Sequence, residues 1–165
     1  MTFSGGEPLL QLEFLRGCLR LCKENGISTA VDTAGNVSFQ SFDAILEYTD
    51  FILYDVKLLD SELHKKHTGA PNKGIVTNLR RLCENRGKTE IIIRTLLLPG
   101  INDNDQYFEE LAEFIHSLRG AAKTELLPYN NMGESKYAAI GEKCRYSGVK
   151  PPGNDQIGHY MNILK

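Results

Sequence analysis

Polar or glycine residues stand at the ends of five short apolar runs in this sequence, and several could bind a ligand. Two glycines in succession leave the backbone open to a ligand, because neither carries a Cβ atom. Two aspartates can share a cation through their carboxylates, helped by a nearby hydroxyl or carbonyl oxygen. A lysine in an apolar strand needs an anionic partner or a route to water. In chain order the residues are Gly5, Gly6 and Glu7, then Asp32 and Thr33, Asp55 and Lys57, Arg94, and finally Tyr129, Asn130 and Asn131.

Each of these groups also has a purely structural interpretation. Gly5 and Gly6 could form a plain turn between a strand and a helix. Asp32 and Asp55 could cap helices or face solvent. Lys57 could lie at a strand end with its ammonium group in water. Taken alone, the residues leave both interpretations open.

Five strands separated by amphipathic helices are predicted to position these residues. The strands are expected near residues 1–5, 27–33, 50–58, 90–99 and 124–129, and residues 130–165 are expected to form an irregular tail ending in a helix near Asp155 to Leu164. Because the apolar runs are nearly continuous, we expect parallel strands buried on both faces by helices.

The alternation of strands and helices predicts a single α/β domain over residues 1–165, built from right-handed βα units. Five strands are too few for an eight-stranded barrel, so an open sheet or an incomplete barrel is expected. In both architectures, ligands bind at the carboxyl ends of the strands. The candidate residues would therefore meet at one mouth of the fold.

Composition places the chain among globular proteins and excludes several classes. The hydrophobic share is 41%, the charged share is 24% and the formal net charge is −2. Acidic and basic residues are interleaved, so the basic patch typical of nucleic-acid-binding proteins is missing. No apolar run approaches the length of a membrane span. Four cysteines in such a chain indicate free thiols in a reducing cytoplasm.

Ordered segments of the sequence resemble the activating enzymes of glycyl radical enzymes, a family of the radical S-adenosylmethionine superfamily. The similarity is nearest to the pyruvate formate-lyase activating enzymes and runs from Met1 to Lys165. It is carried by TFSGGEPLLQ, VDTAGNV, FILYDVKLLDSELHKKHTG, IIIRTLLLPGINDND, ELLPYNNMGESKY and YSGVKPP. The resemblance implies a partial (β/α)6 barrel, here with about five parallel strands and the first βα unit missing.

The resemblance also implies cofactors and a reaction. The family uses S-adenosylmethionine and a 4Fe–4S cluster to form a 5′-deoxyadenosyl radical, which takes a hydrogen atom from a glycine of a partner enzyme. The implied partners are a glycyl radical enzyme, such as pyruvate formate-lyase or a relative, and an electron donor such as flavodoxin or ferredoxin.

By the same resemblance, individual positions acquire cofactor-binding roles. Gly5, Gly6 and Glu7 would hold the methionine amino end, and Asp55, Val56 and Lys57 would line the ribose and carboxylate side. Arg94 would face the mouth and contact the cofactor or a partner peptide. Asn130 stands where the pyruvate formate-lyase activating enzymes have a ligand-contacting histidine, and asparagine cannot carry a proton there. A monovalent cation would be held by Asp32, Thr33, the Tyr54 carbonyl and Asp55.

The cluster-binding C-x3-C-x2-C motif of the family is expected upstream of Met1, so we expect this chain alone to be inactive and to contain no catalytic residue. Cys18 and Cys22 have the first spacing of that motif, but Asn25 stands at the third position. Both cysteines fall on an apolar helical stripe, which favours core packing over cluster ligation. Cys83 is likewise assigned to helix packing, and His64 and His67 to a solvated helix face.

Two other functions stay open at this point. The chain could be a non-catalytic binding or scaffold module that retains half of the barrel. It could also be a radical S-adenosylmethionine enzyme with a small-molecule substrate. Whichever function holds, a first strand without a neighbour would leave an open sheet edge, which predicts self-association through that edge or its occlusion by the chain's own tail.

Overall fold

The computed structural model describes residues 1–120, 123–144 and 146–165. Its core is a five-stranded parallel sheet in the order β1-β2-β3-β4-β5. The strands are β1 Thr2–Phe3, β2 Ala30–Thr33, β3 Phe51–Asp55, β4 Glu90–Leu97 and β5 Lys123–Pro128. The expected α/β class with about five parallel strands is confirmed.

Seven α-helices are present among the described residues. They are α1 Leu12–Glu24, α2 Phe39–Asp43, α3 Ser61–Thr68, α4 Lys73–Asn85, α5 Asp105–His116, α6 Glu134–Ala139 and α7 Asn154–Ile163. Short 3-10 helices at Pro8–Gln11 and Leu46–Tyr48 precede α1 and follow α2. Asp60 caps α3, since its Oδ1 accepts from the Leu63 amide at 2.6 Å. Helix α6 lies within the segment that the sequence predicts to be irregular.

The chain forms two compact units. The first contains Met1–Thr95 and Phe114–Glu125, and the second contains Leu96–Glu113 and Leu126–Lys165. In the second unit, α5 and α7 are joined by a stacked pair of rings, Phe108 and Tyr160, whose centroids lie 4.2 Å apart. His159 Nε2 also lies 2.8 Å from Asp105 Oδ1. The prediction of one undivided domain stays a prediction.

The two faces of the sheet differ in burial, so the expectation that the strands are buried on both faces is wrong. Burial alternates along β2, β3 and β4 between buried and half-buried residues. Side chains on a strand point alternately to opposite faces. The register aligns Val31, Ile52 and Ile91 on the buried face. Leu53 and Ile92 are apolar but half-buried on the other face, and composition alone cannot reveal this difference.

The half-buried face carries the charged residues of the strand ends. Asp32, Asp55 and Arg94 all occupy half-buried positions in the alternating pattern. Asp55 is in direct register with Arg94, and Asp32 is in register with Leu53. The fold therefore brings these three side chains to one end of one face of the sheet.

Candidate active site

An ion-pair cluster joins the ends of three adjacent strands. Arg94 Nη2 donates to Asp32 Oδ1 and, at 2.8 Å, to Asp55 Oδ1, while Arg94 Nε donates to the same Asp55 oxygen at 3.0 Å. The Arg94 side chain is 15% exposed and each aspartate side chain is 24% exposed. The cluster is sheltered yet reaches solvent, as a ligand-binding group must.

The loop after β1 lies beside this cluster. Ser4 Oγ donates to Asp32 Oδ2 at 3.1 Å. Gly5 has φ +146°, which side-chain-bearing residues rarely adopt. Nothing lies within 4 Å of the Cβ positions of Gly5 or Gly6. The diglycine backbone is therefore open to a ligand, as predicted from the residue types.

Glu7 connects the first two strand ends through its side chain. Its carboxylate accepts from Thr33 Oγ1 at 2.8 and 2.9 Å and from the Ala34 amide at 3.0 Å. It also accepts from the Leu9 amide at 3.3 Å, at the start of the helical segment. The Glu7 carboxylate thus positions the loops, a role that the sequence did not reveal.

Two buried side chains, Tyr54 and Asn78, support the loop after β2, residues 33–37. Gly35 has φ +73°, and a Cβ atom there would lie 1.9 Å from the Tyr54 hydroxyl. Asn78 Nδ2 donates to the Gly35 carbonyl at 3.0 Å and to the Val37 carbonyl at 2.8 Å. Asn78 is a buried polar residue in an otherwise apolar helix stripe, and that contrast was the available sequence signal.

Tyr54 supports the same loop with a neutral hydroxyl. The hydroxyl donates to the Ile75 carbonyl at 2.7 Å. Burial raises the pKa of Tyr54 well above its ordinary value, and the Glu7 carboxylate raises it further. The side chain consequently stays protonated and acts as a fixed support.

A cavity of about 200 Å³ opens beside the ends of β2 and β3. Its lining is mixed: Ala34, Asn36, Asp55, Lys57, His64, Thr68, Ala70 and Ile75. Lys57, which the sequence places at a strand end, therefore reaches a cavity that also includes Asp55. Val56, between Asp55 and Lys57, is buried at 2% exposure instead of lining this cavity. Its backbone amide donates to the Arg94 carbonyl at 2.8 Å and so joins the ends of two strands.

His64 is buried at 4% exposure, so its assignment to a solvated helix face is wrong. Its Nδ1 lies 2.7 Å from the Ala70 carbonyl, which identifies Nδ1 as the donor. A histidine can replace an apolar side chain at such a position because its polar atom is satisfied by the backbone. His67 on the same helix is half-buried.

The remaining predicted site residue, Asn130, lies in the second unit after β5. Its Oδ1 accepts from the Met132 amide at 3.2 Å. Its assignment to the cofactor site stays a prediction.

The four cysteines do not fit a 4Fe–4S cluster. Cys22 and Cys83 are buried, and Cys18 and Cys144 are half-buried. Burial raises the pKa of the Cys83 thiol to about 11, which disfavours the thiolate that iron requires. Across residues 1–120, 123–144 and 146–165, no group of three or more His, Cys, Asp or Glu could hold a metal ion. Packing is confirmed for Cys22 and Cys83, whereas Cys18 is only partly covered.

Comparisons with known proteins agree with the fold. The model of the Radical SAM superfamily matches residues 1–115. The chain is 36% identical over 167 residues to the pyruvate formate-lyase 1-activating enzyme of Escherichia coli K12, covering all of this chain and 67% of that protein. The chain therefore belongs to the radical SAM superfamily, within the family of the pyruvate formate-lyase activating enzymes.

Two further relatives define the extent of the similarity. The 4-hydroxyphenylacetate decarboxylase activating enzyme of Clostridioides difficile strain 630 is 37% identical over 147 residues, which are 89% of this chain and 46% of that protein. A crystal structure of a domain of the pyruvate-formate lyase-activating enzyme from Bacteroides vulgatus superposes with a TM-score of 0.80 at 31% identity. That match covers 99% of this chain and 91% of the crystallised domain. The chain thus spans from about half to two thirds of the curated relatives named here.

Family membership implies S-adenosylmethionine and a 4Fe–4S cluster. The strand-end site fits the former, because an open diglycine backbone, two carboxylates and two basic side chains can match a zwitterionic amino acid. The cysteines of this chain do not fit the cluster. No helix among the described residues is both long and apolar enough to cross a membrane.

Proposed function

We propose that this chain is the S-adenosylmethionine-binding part of a glycyl radical enzyme activating enzyme, working in the cytoplasm, where its four cysteines stay free. The observation that carries the proposal is the Asp32–Arg94–Asp55 cluster beside the open Gly5–Gly6 backbone. S-adenosylmethionine, when bound beside a cluster, supplies the hydrogen-atom abstraction chemistry of this family.

The side chains of this chain bind and orient the cofactor. The Gly5 and Gly6 backbone receives the methionine amino end, because no side chain blocks the approach. Lys57, together with Arg94, balances the methionine carboxylate, and Asp55 accepts from a ribose hydroxyl in the adjoining cavity. Glu7 holds the two loops at a constant separation through Thr33 and Ala34. Asn130 is proposed as a further cofactor-binding residue, with its side-chain amide as the contacting group.

Nuclear magnetic resonance of the 15N-labelled protein tests this assignment. S-adenosylmethionine at millimolar concentration should shift the amides of Gly5, Gly6 and Lys57, and methionine alone should shift the glycines. Asp55→Asn should weaken binding, whereas Asp43→Asn, an exposed aspartate on α2, should not. Shifts confined to other parts of the chain, or none at all, would contradict the proposal.

The isolated chain should bind S-adenosylmethionine weakly and should not cleave it. Its cysteines provide no cluster site, and cluster iron is the group expected to chelate the methionine end in the family. Anaerobic treatment with iron and sulfide should therefore yield no stoichiometric cluster and no 5′-deoxyadenosine. Tight binding in calorimetry, or product formation by residues 1–165 alone, would refute this.

A monovalent cation is proposed beside the bound carboxylate. Two aspartates against one arginine leave an excess charge of −1 in the cluster, which a monovalent cation would neutralise. Asp32, Asp55 and the Tyr54 carbonyl are the proposed ligands, joined by Thr33, whose hydroxyl already donates to Glu7. Affinity for S-adenosylmethionine should be higher in potassium or sodium chloride than in choline chloride. Equal affinities in the three salts would exclude the cation.

The proposed partners are a glycyl radical enzyme and an electron donor such as flavodoxin or ferredoxin. The names of the relatives point to pyruvate formate-lyase and to 4-hydroxyphenylacetate decarboxylase as candidate classes. Anaerobic coexpression of the full-length protein with each candidate, followed by electron paramagnetic resonance, would identify the partner by its glycyl radical signal. No signal with any glycyl radical enzyme would refute the assignment.

Self-association through the β1 edge is a further part of the proposal. β1 pairs with β2 on one side and ends the sheet on the other. Its length of 2 residues limits how strong such pairing can be. Hydrogen exchange of residues 2–4 should slow as protein concentration rises. Exchange independent of concentration would exclude this edge as an interface.

A further inference from the structure

His64, on α3, presents only one of its two ring nitrogens to the protein. Nδ1 lies 2.7 Å from the Ala70 carbonyl and 3.0 Å from Thr68 Oγ1, and among the described residues these are the hydrogen bonds of the ring. Nε2 is not enclosed in the core, because Thr95 Oγ1 is the only fully buried, unpaired side-chain polar atom of the described chain. Since His64 lines the cavity beside β2 and β3, its Nε2 is open to that cavity.

The contact with Ala70 fixes the tautomer of the His64 ring. A carbonyl oxygen only accepts hydrogen bonds, so Nδ1 must carry the proton, and Nε2 of the neutral ring is then an acceptor. Gly69 ends α3 with φ +88°, and this left-handed residue turns the chain so that the Ala70 carbonyl reaches the ring. The end of the helix therefore holds an acceptor lone pair at the cavity.

The cavity is suited to one part of a ligand. Its volume of about 200 Å³ is below the range of about 300–1,000 Å³ that is typical of complete small-molecule pockets. Asp55 belongs both to this cavity and to the Asp32–Arg94–Asp55 cluster, so a ligand bound at the cluster can extend into the cavity. The walls are apolar at Ala34, Ala70 and Ile75.

Two hydrogen-bond acceptors from different elements line this space. Arg94 bonds only Oδ1 of Asp55, so the second oxygen of that carboxylate can accept from a ligand. His64 Nε2 is the other acceptor. A ligand group that satisfies both needs two donors, and a vicinal diol supplies them on neighbouring carbon atoms. A phosphate or carboxylate has no such donors and would leave both acceptors unsatisfied.

We propose that His64 is a specificity-determining residue for the cofactor, whose Nε2 accepts from one ribose hydroxyl while Asp55 accepts from the other. This inference rests on the binding of S-adenosylmethionine at the strand-end site, which is itself proposed. A site that bonds a hydroxyl discriminates against the analogue without it, because a sheltered acceptor is then left without a partner. The chain should therefore prefer a ribose ligand to a deoxyribose ligand.

Nitrogen-15 resonances of the histidine ring test the inference in the labelled protein at about pH 8, where histidine is ordinarily neutral. S-adenosylmethionine at millimolar concentration should shift His64 Nε2 together with the amides of Gly5 and Gly6. Its 2′-deoxy and 3′-deoxy analogues should both shift the glycine amides. One of the two analogues should leave Nε2 at its ligand-free position, and this analogue identifies the hydroxyl that His64 binds.

Two substitutions separate this role of His64 from its structural role. His64→Asn keeps an amide donor near the position of Nδ1 and removes the acceptor. It should raise the dissociation constant of S-adenosylmethionine about tenfold, leave that of the discriminated analogue unchanged, and keep Tm near the wild-type value.

His64→Gln places its side-chain oxygen near the position of Nε2 and loses the bond to Ala70. It should keep the preference for ribose and lower Tm. His116→Asn makes the same chemical change as His64→Asn at an exposed position of α5 and should alter neither property.

The outcomes distinguish this inference from the function on which it rests. If the glycine amides shift while Nε2 does not, or if His64→Asn weakens all ligands equally, His64 does not bind the ribose, and the strand-end assignment stands. If neither the glycine amides nor Nε2 shift, both proposals are refuted.

Discussion

Replacing Arg94 with methionine should destabilise the first unit and abolish the strand-end cluster. Methionine retains the length and apolar stem of arginine but removes the charge and three hydrogen bonds to two carboxylates. Asp32 and Asp55 would then face one another as like charges in a sheltered site. The loss of stability follows from the uncompensated carboxylates as well as from the missing bonds.

The exposed fractions of the three side chains bound the loss of stability expected for Arg94→Met. Breaking a fully buried ion pair costs about 3–5 kcal/mol, and an exposed pair contributes about 0–1 kcal/mol. Arg94 is 15% exposed and the aspartates are each 24% exposed, so the cluster lies nearer the buried limit. We expect a decrease of about 2–3 kcal/mol in the free energy of unfolding, or roughly 4–12 °C in Tm for a chain of this size.

Urea unfolding followed by circular dichroism measures this change, with Lys123→Met as the control. Lys123 forms an exposed pair with Glu90 at 3.8 Å, and its loss should cost less than about 1 kcal/mol. Adding Asp55→Asn to the Arg94→Met variant should restore part of the stability by removing the repulsion. A loss below about 1 kcal/mol for Arg94→Met, or no rescue by Asp55→Asn, would refute this account of the cluster.

Three further changes test the supports of the fold. Gly35→Ala should lower the free energy of unfolding by about 2–3 kcal/mol, since it combines a positive φ with a Cβ atom placed 1.9 Å from the buried Tyr54 hydroxyl. The control is Gly69→Ala, where φ is +88° but the space is open, and it should cost only about 1 kcal/mol in the same denaturation assay. Asn102→Ala should cost about 2–3 kcal/mol, because the buried side-chain amide forms hydrogen bonds to two backbone groups. Asn104→Ala removes an exposed helix cap and should cost about 1 kcal/mol. Equal losses of stability in the two variants would contradict this account. Burial raises the pKa of the Cys83 thiol from its ordinary 9.0 to about 11 in the folded chain. The buried neutral thiol therefore contributes stability that is present below pH 9 and is lost as pH rises through 11. The difference in unfolding free energy between the wild type and Cys83→Ala should shrink over that interval, and a constant difference would show that the thiol does not titrate as described.

Much of the architecture could be predicted because it depends on local patterns. The five strands and most of the helices are encoded in runs of apolar residues and in capping residues such as Asp60. Helix α6 escaped prediction, since its segment has no apolar periodicity and its residues are not buried. His64 was assigned to solvent because two lysines follow it, although burial is set by the face of α3 on which it lies.

The candidate site was only partly visible in the sequence. The diglycine and the strand-end aspartates stand out by residue type, and parallel strands must place their ends together. Arg94 also stands out at a strand end, but its pairing with those aspartates is not predictable, because it is separated from Asp32 by 62 residues. Likewise, Asn78 supports Gly35 across 43 residues of sequence.

By itself, the sequence determined the family, the α/β class and the strand ends at which chemistry gathers, because these follow from local periodicity and from ordered motifs. The tertiary structure alone decided that Arg94 lies between the two carboxylates, that Glu7 joins two loops, and that one face of the sheet is half-buried. Those properties depend on strand register and on side-chain direction, which are set when distant segments pack together.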